Sequence, residues 1–190
     1  MNNLLWVSLL TGLLTSASVS AALQPGDIAP DFATEASLAG KPFPFSLKEA
    51  LKTGPVVVYF YPSAYTNGCN IQAHTFALHQ EKFATAGASI IGVSQDSIER
   101  LNDFSADPAF CAGKVAVASD PGGKIAKAWD LAIREATAGR KDTRGVDIDH
   151  GFTERTTFVG KHSHPPHFKA RFGRRSEQYS HSSFRIQTGG

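Results

Sequence analysis

The sequence predicts an α/β layered fold with a mixed central sheet, and three observations predict it. Val56–Tyr61 and Ala88–Val93 are apolar runs without polar alternation, the pattern of strands buried on both faces. Segments with helical spacing of apolar residues follow these runs, as at Ala73, Phe76 and Ala77. Turn clusters such as Asp120-Pro121-Gly122-Gly123 punctuate the alternation. Strands that alternate with helices bury both sheet faces under helical layers. A chain of 190 residues is long enough to bury one core of ordinary domain size.

The elements follow in chain order. Residues 1–22 read as a signal peptide. They are uncharged, carry the apolar stretch Leu4–Leu10, and end in Val19-Ser20-Ala21-Ala22, small residues suited to cleavage after Ala21 or Ala22. The stretch is short and rich in Ser and Thr for a membrane span, and Met1-Asn2-Asn3 brings no Lys or Arg. The expectation is export to the periplasm or secretion, with a retained N-terminal anchor as the alternative.

Residues 23–160 form the predicted domain. After the turn at Gln24-Pro25-Gly26, Phe32–Leu38 reads as a strand and Ala39–Pro42 as a turn. Phe43–Ser46 leads into a short helix, Leu47–Leu51, capped by Ser46. The strand Val56–Tyr61 is followed by a helix from Cys69 that stops near Gly87, then by the strand Ala88–Val93. Ser97 caps a helix running to Phe104, and Val115–Ala118 reads as a strand. A short helix at Lys124–Leu131, a polar loop at Arg134–His150 and a strand at Arg155–Val159 complete the domain.

Residues 161–190 break the pattern. Ile186 is the only Val, Ile, Leu or Met after Gly160, and the segment carries six Lys or Arg against Glu177 alone. It reads as a basic His/Ser/Arg-rich tail, expected to be disordered or loosely docked. The whole chain, with 19 basic and 17 acidic residues, has no global charge excess that would point to nucleic acid. His162, His164 and His167 have irregular spacing and no carboxylate or thiol to complete a tetrahedral set. His74 and His79 lack the i, i+4 spacing of a zinc helix. No metal or cofactor is expected.

The chemistry centres on Cys69. A buried strand delivers it, through Pro62-Ser63-Ala64-Tyr65-Thr66-Asn67-Gly68, to the first turn of a helix. Unpaired N–H groups at a helix N-terminus favour the thiolate, which is the nucleophile. Thr66 offers a hydroxyl to an oxygen approaching the sulfur. A lone cysteine in an apolar setting is often a buried structural thiol, and that reading stays open on the residues alone. Two cysteines are too few for a disulfide scaffold and read as chemistry.

Pro62, Thr66 and Cys69 stand at the spacing proline, three residues, threonine, two residues, cysteine. Gly26–Phe32, Val93–Ser97, Ser119–Lys124 and Arg155–Val159 accompany them in order across residues 24–160. On these motifs the chain resembles the peroxiredoxins, the alkyl hydroperoxide reductase and thiol-specific antioxidant family. The resemblance implies a thioredoxin-like fold and a thiol-dependent peroxidase that reduces hydrogen peroxide or organic hydroperoxides through a cysteine sulfenic acid.

It implies Cys69 as the peroxidatic nucleophile, Arg155 as the cation beside it, Thr66 as a polar contact and Pro62 as the shield of the thiolate. Cys111 is implied as the resolving cysteine, with a free thiol or static disulfide as the alternative. Tyr59 and Tyr61 should share one sheet face, either lining the pocket or in the core. Asn70 and Gln72 stand where many relatives have threonine and glutamate.

The expected partners are a hydroperoxide and a thioredoxin-like or other dithiol reductant, with a homodimer left open. Relatives continue beyond this point with a strand and a long closing helix, and both read as missing here. A reading-frame change or truncation near Gly160 is the expectation that accounts for it. The competing readings are a non-catalytic, truncated or frame-shifted variant of the fold, and a thioredoxin-like disulfide oxidoreductase. The latter normally uses Cys-x-x-Cys, whereas Thr66 and Gln72 occupy the positions three before and three after Cys69.

Overall fold

A computed structural model of the chain describes residue 23, residues 26–161 and the backbone of residues 167–172. The signal-peptide segment lies outside the described residues, as do His162, His164 and the tail beyond residue 172.

A seven-stranded mixed sheet runs in the order β2-β1-β5-β4-β3-β8-β9. Its centre is β3 (Val56–Phe60), β4 (Ser89–Ser94) and β5 (Ala116–Ser119), paired in parallel. All five residues of β3 are buried, as the unbroken apolar run requires of a central strand. β1 (Ala33–Leu38) joins β5 antiparallel and turns back into β2 (Lys41–Ser46) at the edge. Pro42 and Pro44 are tolerated in β2 because an edge strand leaves donors of one side unused. On the other flank β8 (Thr156–Lys161) runs antiparallel to β3, setting Thr156 opposite Phe60. A separate two-stranded ladder joins β6 (Ile133–Arg134) to β7 (Phe152–Thr153).

Local sequence sets the helix starts. Ser46 caps α1 (Leu47–Thr53) by accepting from the Glu49 N–H, and Ser97 caps α3 (Ile98–Ala106) by accepting from the Arg100 N–H. Helix α2 (Asn67–Thr85) begins two residues before the expected start, with Thr66 in extended conformation at its N-cap. Its face Cys69, Ala73, Phe76 and Ala77 is buried at helical spacing. Asp120 closes the start of α4 (Lys124–Ala128), its two oxygens accepting from the Ile125 and Ala126 N–H groups at 2.9 Å.

Strand alternation divides the core. Val56, Val58 and Phe60 enter one cluster with Phe32, Ile91, Trp129 and Phe158. Val57, Tyr59 and Tyr61 enter the other, under α2 and α3, with Phe76, Leu101 and Phe104. Both cysteines belong to this second cluster. Tyr59 and Tyr61 do share a face, and each is 1% exposed, which makes them core residues.

One expectation needs correction. The strand read as missing after Gly160 is present: β9 (His167–Phe172) pairs antiparallel with β8, across a register shift between Phe158 and Gly160. An edge strand needs only the free donors and acceptors of its neighbour. The cue was in the sequence, since Phe168, Ala170 and Phe172 alternate with His167, Lys169 and Arg171. Cys111 lies beyond α3, in the turn-rich stretch that leads to β5, because α3 ends at Ala106. The loop Arg134–His150 is mostly exposed, yet Asp142 and Ile148 are buried and anchor it.

The Trp129 ring meets Phe32, Phe60 and Phe158 at centroid distances of 5.9, 5.3 and 5.0 Å, and its indole N–H donates to the Pro30 carbonyl. Trp129→Ala is expected to destabilise the fold by about 3–5 kcal/mol. Urea unfolding followed by circular dichroism checks this, as a lowered midpoint at an unchanged slope.

Candidate active site

The loop between β3 and α2 holds the candidate nucleophile. Tyr61 N–H donates to the Val93 carbonyl at 3.1 Å, carrying the pairing with β4 one residue past β3. Pro62 has no N–H and ends the strand. Ser63, Ala64 and Tyr65 are then buried, and Tyr65 takes φ 60°, a left-handed conformation that costs a non-glycine residue about 1–2 kcal/mol. The contacts around it must therefore hold it there.

Cys69 sits in the first turn of α2, with its N–H donating to the Thr66 carbonyl at 2.9 Å. Its residue exposure is 1%. The Arg155 guanidinium donates from Nη2 to the Cys69 Sγ at 3.1 Å, and from Nη1 to the Gln72 side-chain oxygen. Antiparallel pairing explains the approach. Thr156 lies opposite Phe60, so Arg155 comes level with the chain as it leaves β3 for the loop. Gly68 keeps the path open, since a Cβ there would sit 3.3 Å from Nη2. Gln72, on the next turn of α2, thus supplies the carbonyl oxygen that orients the guanidinium.

The Thr66 hydroxyl donates to the Ser63 carbonyl at 2.9 Å, so its proton is committed and its lone pairs face outward as acceptors. Above the loop lies a cleft of about 490 Å³, lined by Pro62, Thr66, Asn67, Gly68 and Arg155 on one side. Arg134, Arg140, Lys141, Thr143 and Phe152 line the other.

A buried carboxylate braces the loop from behind. Asp96 is 0% exposed and follows β4 by two residues. Its Oδ2 accepts from the Ala64 N–H and the Ser94 hydroxyl, both at 2.7 Å. Its Oδ1 accepts from the Ser63 hydroxyl at 2.8 Å and pairs with His150 Nε2 at 2.9 Å. Arg100 Nε lies 2.9 Å from the same oxygen, an ionic contact rather than an aligned hydrogen bond. Arg100 also donates to the Ala64 carbonyl and to Asp142, at 2.9 and 2.8 Å. Thr143 closes the front by donating its N–H and hydroxyl to the Tyr65 carbonyl, at 2.9 and 2.8 Å.

The charges in this brace stabilise one another. Burial opposes charge on both Asp96 and His150. For Asp96 the hydrogen bond and positive charge of His150, with the Ser94 and Ala64 donors, outweigh burial and hold the carboxyl below its usual range. For His150 the Asp96 carboxylate outweighs burial and raises the imidazole above its ordinary value.

Cys111 is 0% exposed, and burial, reinforced by Asp107, pushes its thiol up to about 12. Both cysteines are free thiols. Tyr59 lies under the electrostatic influence of both sulfurs, and burial first, then those charges, raises its hydroxyl well above the ordinary value.

Three of the sequence-predicted site residues, Pro62, Thr66 and Arg155, therefore line one cleft, and Arg155 reaches from it to the sulfur of Cys69, which is enclosed beneath. Cys111 shares the aromatic cluster beneath it but lines no part of the cleft. Asp96, His150, Arg100 and Asp142 were not singled out by sequence reasoning, apart from Asp96 falling within the Val93–Ser97 motif. Among the described residues, no cluster of three or more His, Cys, Asp or Glu is arranged to hold a metal ion.

Comparison with known proteins gives the chain a family and structural neighbours. Residues 25–163 match the family model described as the AhpC/TSA family. The chloroplastic peroxiredoxin Q of Sedum lineare is 38% identical over 99 residues, covering 47% of this chain and 52% of the relative. The chain thus spans about half the length of the curated relatives it matches. Among solved structures, peroxidoxin BcpB from Mycobacterium tuberculosis aligns with a TM-score of 0.58 at 28% identity, over 72% of this chain and 78% of that one. Peroxiredoxin Q of Xanthomonas campestris aligns with a TM-score of 0.55 at 26% identity, over 73% and 78%.

The Asp96–His150 pair sets a pH dependence of stability. The imidazole, raised on folding, contributes fully below its unfolded value of about 6.5 and loses that contribution as pH rises through the folded value. The carboxyl, lowered on folding, contributes above about 3.8 and loses it as pH falls through the folded value. Thermal melts of the wild type and His150→Gln between pH 5 and about 9 are expected to converge at the alkaline end. Asp96→Ala, which strands His150 and leaves Arg100 with Asp142 as its one carboxylate, is expected to cost about 3–5 kcal/mol at neutral pH by denaturant titration.

Proposed function

The chain belongs to the AhpC/TSA family, the peroxiredoxins, and we propose that it is a thiol-dependent peroxidase with Cys69 as its nucleophile. The observation that carries the reading is the Arg155 Nη2 donor 3.1 Å from the Cys69 sulfur, on a guanidinium that also lines an open cleft. A permanent cation there stabilises negative charge on the sulfur and on an oxygen that approaches it.

The reaction follows from the groups present. A hydroperoxide enters with its O–H donating to the Thr66 hydroxyl oxygen, the lone-pair side that the bond to Ser63 leaves free. The Cys69 thiolate attacks the terminal oxygen along the O–O axis. A sulfur–oxygen bond forms as the O–O bond breaks, leaving Cys69 sulfenic acid and an alkoxide or hydroxide that takes a proton from water. Cysteine loses two electrons and the peroxide gains them. Arg155 faces the charge that develops on the departing oxygen, and Gln72 holds the guanidinium in line. Pro62, at the cleft wall, limits water around the sulfur.

Cys111 is the resolving thiol of this proposal. Its attack on the sulfenic acid forms the Cys69–Cys111 disulfide and releases water, and an external dithiol then reduces the disulfide. A thiol pushed up to about 12 and enclosed in the core is not poised to react. Resolution therefore requires the segment around Cys111 and the Cys69 loop to open together. Export to the periplasm or outside the cell is part of the same proposal and rests on the apolar, small-residue segment at residues 1–22.

Cys69→Ser is expected to abolish peroxide consumption with a dithiol reductant, and retained activity contradicts the assignment. Arg155→Met is expected to lower kcat/KM by about 10²–10³-fold. Intact mass after one equivalent of peroxide reads the fate of the sulfur. Loss of two hydrogens marks the disulfide, and an added oxygen in Cys111→Ser marks the trapped sulfenic acid.

A further inference from the structure

The cleft that Arg155 lines beside Cys69 carries more positive charge than peroxide reduction needs. Its lining holds Arg134, Arg140, Lys141 and Arg155, with Asp142 as the one acid. Asp142 is spent inward: its oxygens accept from the Arg144 and Val146 N–H groups and from the Arg100 and Arg144 side chains. Lys141 is paired with Asp147 at 2.7 Å, and Arg155 is engaged by Gln72 and the sulfur. That leaves Arg134 and Arg140, neither of which has an ion pair among the described residues.

Arg140 lies with its guanidinium carbon 4.7 Å from the centroid of the Phe152 ring. The buried ring fixes one face of the guanidinium and leaves its N–H fork free for an oxyanion. Arg134 faces the same space from β6, whose pairing with Phe152 sets the two arginines on one wall. An anionic head against this wall and an apolar body toward Pro62 match a substrate longer than hydrogen peroxide. A single guanidinium at the sulfur already serves the O–O bond, so the second pair has a different task.

Building on the peroxidase reading, we propose that Arg134 and Arg140 form a binding site for an anionic group, so that organic hydroperoxides bearing a carboxylate are preferred substrates. The hydroperoxide end reaches Cys69, and the carboxylate stays at the arginine wall without entering the reaction. Oxygen transfer balances as for any hydroperoxide: Cys69 becomes the sulfenic acid and the organic product is the hydroxy acid.

The test compares kcat/KM of the full chain for one alkyl hydroperoxide ending in a carboxylate and for its methyl ester. The carboxylate is expected to be favoured by roughly three- to tenfold at low salt, with the ratio falling toward one at about 0.5 M salt. Arg134→Gln/Arg140→Gln is expected to bring the ratio to about one, and Arg134→Glu/Arg140→Glu to take it below one, an inversion that general damage to the fold does not produce. Equal rates for acid and ester in the wild type, or a preference that survives the double substitution, overturns the proposal. Turnover of hydrogen peroxide and the ester with no carboxylate preference overturns this site alone. No turnover of any peroxide overturns the peroxidase reading together with it.

Discussion

The buried Asp96 carboxylate is the constraint on which the geometry at Cys69 depends. It takes the Ala64 N–H and the Ser63 hydroxyl from the cysteine loop, and meets His150 and Arg100 from two other elements. Without it the loop would carry a buried unpaired N–H, and Tyr65 would have little reason to keep a left-handed conformation. The loop conformation in turn sets where α2 begins, and so where the sulfur lies relative to Arg155. A carboxylate that never touches the sulfur thus positions it.

The same arrangement joins stability to reactivity. Cys111 is fully enclosed and Cys69 is 1% exposed, so both sulfurs are shielded within the reduced fold. The two-cysteine chemistry proposed for Cys69 and Cys111 demands that the brace release the loop after oxidation. A network of charges on several elements suits that task, because it is strong when intact and is lost as a unit when one member leaves. His150 is the member whose imidazole the Asp96 carboxylate, against the effect of burial, raises above its ordinary value.

Local features of this fold were legible in the sequence, and non-local ones were not. The β3 run, the Ser46 and Ser97 caps and the turn at Asp120 are written in neighbouring residues. The Cys69 placement followed from a strand, a proline and a helical pattern. Arg155, far from Cys69 along the chain, was reached only through the family resemblance. Asp96 meets His150 directly and Asp142 through Arg100, across two loops far apart in the chain, and no periodicity announces contacts of that kind. The edge strand at residues 167–172 was missed for a different reason. Its alternation is carried by Phe168, Ala170 and Phe172, with no aliphatic run to mark it.

The central claim is that the Asp96 brace holds Cys69 in its reactive position beside Arg155. The most direct measurement is the stopped-flow rate at which one equivalent of hydrogen peroxide oxidises the reduced chain, with the sulfenic acid trapped on Cys69, in the wild type and in Asp96→Asn. The account predicts a second-order rate about 100-fold lower in the variant, with the oxygen still found on Cys69. Equal rates in the two folded proteins would contradict it.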